Sequence, residues 1–129
     1  MKYLFTVLVF SAFSIAGFSQ TKAQLTARIN TPDALCEACK MRIESYLKRY
    51  DGILSVNVNY RKGETTVKYL TDRINIETIK TAISNVGYDA DDVTAAEDAY
   101  KRLPKTCKKP EDGGAHPKPK AMPATEPVN

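Results

Sequence analysis

The stretch LCEACK, residues 35–40, sets Cys36 and Cys39 three positions apart in a chain of 129 residues that contains three cysteines. Cysteine sulfur is a soft ligand. A Cys-x-x-Cys pair can grip Cu(I), Zn(II) or Hg(II) in preference to hard cations, exchange electrons as dithiol and disulfide, or close into a structural staple. Two sulfurs suffice for linear coordination, whereas tetrahedral zinc wants more ligands. Cys107 lies far along the chain beside Lys105, Lys108 and Lys109, whose charges favour its thiolate. It is a candidate third ligand; a disulfide to a partner, or no special role, are the other readings. Three is an odd number, so at least one thiol is left over from any pairing.

Other candidates are weaker. His116, the one histidine of the chain, falls among prolines and reads as a solvated tail residue. Helical spacing turns Met41 away from Cys39, so it reads as packing rather than as a ligand. Residues 24–93 contain no histidine to serve as a general base, no Ser-His-Asp set and no glycine-rich phosphate loop. The expectation is therefore a binding protein with no catalytic residues, not an enzyme.

The elements around the pair have to position it. QLTARI puts Leu25, Ala27 and Ile29 on one face at period two, which marks a strand broken at Pro32 and Asp33. From Cys39, the apolar positions Ile43, Leu47 and Tyr50 recur at helical spacing until Asp51-Gly52. ILSVNVNY follows, with Leu54, Val56, Val58 and Tyr60 on one face, and Arg61-Lys62-Gly63 turns the chain. ETTVKYL returns with Thr65, Val67 and Tyr69 alternating, so the two runs read as a hairpin. Asn75 offers an N-cap to a second helix, whose core stripe is Ile76, Ile79, Ile83 and Val86 and whose stop is Gly87. Residues 88–93 read as a last short strand. This order predicts an α+β, ferredoxin-like βαββαβ fold: an antiparallel four-stranded sheet with both helices on one face. The cysteine pair then sits where the first strand gives way to the first helix. Helix-start N–H groups and the positive end of the dipole should lower the thiol pKa values there.

The flanks have a different composition. Residues 1–23 read as an export signal, with Lys2 before an apolar stretch and cleavage after Ser19 or Ala23, and with no cysteine there for a lipid anchor. Export outside the cytoplasm, to the periplasm, is the expectation, with no stable membrane anchor after the signal is removed. Residues 94–103 can add a short helix. From residue 104 to 129 six prolines and Gly113-Gly114 predict a tail that does not fold alone. Net charge is +4, and loss of Lys2 and Lys22 with the signal leaves +2. So mild an excess gives no support to nucleic-acid binding, and the cluster of Lys101, Arg102, Lys105, Lys108 and Lys109 reads as a solvated helix end and tail.

Taken in register, several motifs resemble one family. They are Cys36-Glu37-Ala38-Cys39 at a strand-to-helix junction, Gly52-Ile53, Val56-Asn57-Val58, Val67-Lys68-Tyr69, Ile79 with Ala82-Ile83, and Gly87-Tyr88-Asp89-Ala90. The family is the heavy-metal-associated domain, found in copper chaperones, copper-transporting ATPases and periplasmic mercury carriers, and the resemblance covers residues 24–93. It implies Cys36 and Cys39 as ligands of a soft metal, Cu(I) first, with Hg(II) or Zn(II) as alternatives. It also implies transport or sequestration, a metal-transporting membrane protein as partner, and Tyr88 on the loop facing the sulfurs as a shield. One departure stands out: the family's Gly-Met-x before the first cysteine is here Asp33-Ala34-Leu35, so Ala34 or Leu35 must take over the packing. The rival reading is a periplasmic thiol-disulfide oxidoreductase using Cys36 and Cys39. Against it, the chain has no tryptophan before the pair and no Gly-Pro within it.

Overall fold

Period-two alternation builds three strands, β1 (Gln24–Asn30), β2 (Ile53–Asn59) and β3 (Glu64–Leu70). The computed structural model, which describes residues 23–117, pairs them antiparallel in the order β1-β3-β2. The expected export signal, Ala23 apart, and the prolines at 119, 123 and 127 lie outside the described residues. Ile29, Val56, Val58, Val67 and Tyr69 are buried, while Arg28, Ser55, Asn57 and Lys68, alternating with them, are exposed. One face of the sheet is therefore covered. The cover is a layer of two helices, α1 (Glu37–Leu47) and α2 (Ile76–Val86), which contribute Ile43, Leu47, Ile79, Ala82 and Ile83 to the core. Burying each large aliphatic side chain contributes roughly 1.5–3 kcal/mol.

Local signals explain the ends of α2. The Asn75 side chain accepts a hydrogen bond from the Thr78 N–H at 2.8 Å, which satisfies one of the free donors of the first turn. Gly87 ends the helix at φ 106°, a left-handed conformation that costs other residues steric strain.

Two expectations about strands need correction. Leu54 was expected in the core, yet it is 47% exposed. The ladder shifts between Ile53 and Ser55, so Leu54 is the extra residue of a bulge and Ile53 packs inward instead. The fourth strand, expected at residues 88–93, is absent among the described residues. Its place is taken by a tight reversal in which Ala90 and Val93 form an isolated bridge around Asp91 at φ 52°. Aspartate tolerates that conformation better than most residues, and Asp91 also ties the reversal to the end of β1. Its N–H donates to the Asn30 carbonyl at 2.9 Å, and its carboxylate accepts from the Asn30 N–H at 2.8 Å.

Beyond the reversal, α3 (Glu97–Lys101) is shorter than the helix expected over 94–103, because the Ala95 and Ala96 N–H groups donate to the Asp89 carboxylate and the Ser84 carbonyl before it starts. The segment after it, expected to be part of an unfolded tail, is instead folded back on the domain. It makes short 3₁₀ turns at Lys105–Cys107 and Pro110–Asp112, and Leu103 and Cys107 join the core. Gly87 permits this approach, since a Cβ there would stand 3.1 Å from both Ala99 and Leu103. No helix among the described residues is long and apolar enough to cross a membrane.

Candidate metal centre

The loop between β1 and α1 is pinned before it reaches the cysteines. The Thr31 N–H donates to the Gly63 carbonyl at 2.7 Å, the Thr31 and Thr65 hydroxyls meet at 2.8 Å, and Ala34 is fully buried. Ala34 thus supplies the packing under the loop. Cys36 is the N-cap of α1, in extended conformation with φ −149° and ψ 169°, and Cys39 lies on the inward stripe with Ile43 and Leu47. The two sulfurs are 2.9 Å apart. Both cysteines are free and buried.

The structure brings Cys107 to the same place. It closes the first 3₁₀ turn, its N–H donating to the Pro104 carbonyl at 2.8 Å, and the three Sγ atoms lie within 4.8 Å of one another. The Thr106 carbonyl, which has no signature in sequence, accepts from the Cys36 thiol at 3.3 Å. Tyr88 completes the enclosure. It is fully buried, and its hydroxyl has no hydrogen-bond partner among the described residues. Burial, with the Cys107 and Cys39 thiols close by, pushes its pKa up.

The electrostatics differ from the sequence expectation. Burial pushes the Cys39 thiol well above its ordinary 9.0, reinforced by the Cys36 and Cys107 thiols, so the helix start does not win at this position. Cys107 is lowered, as expected, but not by lysines. Burial opposes the shift, and the polar side chains of Cys39, Tyr88, Thr106 and Cys36 close by outweigh it. Lys109 is engaged elsewhere: its Nζ lies 3.1 Å from Asp89 Oδ2 and 3.3 Å from Asp33 Oδ2. The Asp89 hydrogen bond leads in raising the Lys109 pKa from 10.5 to about 12. Of the two carboxylates sharing it, Asp33 is pushed up by burial and by Asp89. Asp89 is lowered, because the Ala95 N–H and Lys109 overcome its burial.

Three readings change as a result. Lys109 is not a merely solvated cation. Met41 is 62% exposed and neither packs nor ligates, since it sits on the outer face of α1. His116 Nε2 donates a 2.6 Å hydrogen bond to the Lys108 carbonyl and is not among the grouped sulfur ligands. Sequence reasoning missed the link from Lys109 to Asp33 and Asp89; its members share no spacing, and Lys109 and Asp89 are 20 positions apart. A hollow of about 430 Å³ lined by Arg42, Tyr46, Arg49, Asn85 and Arg102 contains none of the cysteines. An ion held by three converging sulfurs needs no such cavity.

Comparison with known proteins bears on the same residues. A family profile described as the heavy-metal-associated domain matches residues 28–89. The copper chaperone CopZ of Staphylococcus aureus is 34% identical over 61 residues, which is 47% of this chain and 90% of that protein. Among solved structures, a CopZ metallochaperone matches with a TM-score of 0.50 and 32% identity over 51% of this chain and 98% of its own. The N-terminal domain of a potential copper-translocating P-type ATPase from Bacillus subtilis, in its Cu(I)-loaded state, matches with a TM-score of 0.51 and 26% identity, covering 54% and 86% of the two chains. The matched family region contains Cys36 and Cys39 and ends before Cys107.

Proposed function

This chain belongs to the heavy-metal-associated domain family, and from that premise we propose that Cys36 and Cys39 bind a soft metal ion, Cu(I) first, as cargo to be carried or held. One observation carries the reading: two free, buried sulfurs stand 2.9 Å apart at the start of α1, held by a loop that is itself pinned to the sheet. Soft thiolates select Cu(I) or Hg(II), and both accept the low coordination numbers that a few sulfurs supply, whereas Zn(II) wants a fourth ligand. The names of the relatives point to copper, and the P-type ATPase domain among them makes a metal-transporting membrane protein the natural partner. The Lys2 start and apolar stretch of residues 1–23 support work outside the cytoplasm, in the periplasm. Mass spectrometry of mature protein from the periplasmic fraction tests this, and a retained N-terminus recovered from the cytoplasm would count against it.

Thiol-disulfide exchange is disfavoured by the same geometry. An attacking thiol must be accessible, whereas Cys36 at the start of the helix and Cys39 behind it are both buried. The test of the metal reading is competition for Cu(I) between the reduced full-length protein and a chromophoric chelator. Cys36→Ser and Cys39→Ser should each weaken binding by about 100-fold or more, beyond the range seen on loss of supporting residues. A variant that keeps the unaltered affinity would place the ligands elsewhere.

A further inference from the structure

The third sulfur lies outside the part of the chain that the family profile matches, and it is carried by a segment with its own supports. We infer that residues 104–115 form a strap that delivers Cys107 as a third metal ligand and closes the site over its ion. A metal accepting three sulfurs is then retained until the strap lifts. This rests on the reading of Cys36 and Cys39 as ligands.

The first support is the donor set. Cys36, Cys39 and Cys107 are 2%, 0% and 1% exposed, and their sulfurs span no more than 4.8 Å. Two sulfurs on one soft ion are separated by at most twice a metal–sulfur bond of about 2.3 Å, so small shifts close all three onto one ion. The buried Tyr88 hydroxyl beside them lacks a hydrogen-bond partner among the described residues, and an unpaired buried hydroxyl is costly. A bound ion with its thiolates would give that hydroxyl an acceptor.

The second support is the construction of the strap. Lys109 bridges it to both loops of the site, to Asp33 ahead of Cys36 and to Asp89 beside Tyr88. The Lys109 N–H donates to the Tyr100 hydroxyl at 2.9 Å, and that hydroxyl hydrogen-bonds Asp112. The strap also folds on itself, with the Ala115 N–H on the Lys105 carbonyl at 3.1 Å and the Gly114 N–H on the Lys109 carbonyl at 3.0 Å. Only glycine fits at 114, since a Cβ would stand 1.9 Å from the Lys108 carbonyl oxygen. A strap so tied puts the Thr106 carbonyl and Cys107 over the pair. An incoming ligand must displace it to reach the ion, so release is slow and the chain acts as a holder more than as a rapid donor. Three sulfurs also favour Cu(I) or Hg(II) over Zn(II).

Full-length protein, reduced, freed of reductant and loaded without oxygen with one equivalent of Cu(I), so that neither an added thiol nor a phosphine can ligate the ion, provides the test. X-ray absorption should count three sulfurs on copper in the unaltered protein and two in Cys107→Ser. Native mass spectrometry should show one copper per monomer. Supporting residues around metal sites cost roughly 10- to 100-fold in affinity, so loss of a ligand should cost at least about 100-fold. Lys109→Met, which keeps all three cysteines, should speed Cu(I) transfer to a bidentate chelator by roughly 10-fold with Cu(I) still bound. Two sulfurs in the unaltered protein overturn the inference, and so does a third supplied by a second copy in a dimer. That count needs no variant to fold. If Cys36→Ser and Cys39→Ser weaken Cu(I) binding while Cys107→Ser keeps the unaltered affinity, the strap alone is wrong. If all three keep it, the underlying reading is wrong.

Discussion

The sheet-and-helix layer and the strap are held by different physics. Ile29, Ile43, Val67, Ile79 and Ile83 are fully buried and apolar, and their contribution is the area they remove from water, which carries no charge for salt to screen and needs no metal. The strap has few such residues, chiefly Cys107, which follows the buried Leu103. It depends on Lys109 ion pairs, the Tyr100 hydroxyl and a glycine at a tight crossing. These ion pairs are only partly buried, with Lys109 27% exposed, so each contributes modestly and is weakened by salt. The comparison teaches that one end of the molecule can open while the other stays folded, which is what a gated metal site needs.

The largest effect should come from the apolar region. Ile43→Ala removes a fully buried side chain between sheet and helix and should lower stability by about 2–5 kcal/mol in denaturant unfolding. A change near zero would mean that the layer is not the main source of stability. Gly87→Ala strikes the seam between the regions: φ is 106° and the new Cβ meets Ala99 and Leu103 at 3.1 Å. A cost of about 1–2 kcal/mol is expected from the backbone conformation alone, with the α3 amides losing protection more than those of β3. Lys109→Met should shift global stability by less than about 1 kcal/mol. Hydrogen exchange at Cys107 and Ala115 should nevertheless accelerate while Val67 is unchanged; equal acceleration at all three would merge the two regions into one cooperative unit.

Alkaline pH should act on the site end. Burial makes Cys39 and Tyr88 hold their protons more tightly in the folded chain, above their ordinary 9.0 and 10.0. The unfolded chain loses these protons first, so stability falls as pH rises above 9.0. Lys109 has the same sign: its ion pairs contribute fully below 10.5 and are lost as pH passes about 12. Cys107 is lowered below 9.0, so its contribution has the opposite sign: present above 9.0 and lost as pH falls through its folded value. The metal-free reduced protein should therefore show a falling melting temperature above pH 9.0, a loss that metal binding offsets by taking the thiolates. A melting temperature that rises with pH in this window would contradict those proton affinities. The smallest effect is expected from chelation, because the core is independent of the site. Circular dichroism of the metal-free protein should keep the folded signal and a cooperative melt.

Much of this was legible along the chain because the signals are local. Alternation in ETTVKYL, the Asn75 cap and the Gly87 stop each act within a few residues, and the structure shows all three. Leu54 was misread because a bulge shifts the register, and nothing in ILSVNVNY marks the extra residue. The expected last strand failed because Asp91 and Asp92 favour a reversal. There Asp92 pairs with Lys80 at 3.0 Å, a partner from α2 that no local pattern shows.

By itself, the sequence determined the α+β order, the family and the Cys36 and Cys39 pair, since hydrophobic period, caps and a three-residue spacing are written in neighbouring positions. Only the tertiary structure decided that Cys107 and the Thr106 carbonyl join the pair, that the Tyr88 hydroxyl is sealed in with no hydrogen-bond partner among the described residues, and that Asp33, where the chain departs from the family's glycine, meets Lys109. Those contacts depend on where the chain returns after α3. That path is set by the summed packing of Leu103, Gly87 and the helices, not by any residue's own preference.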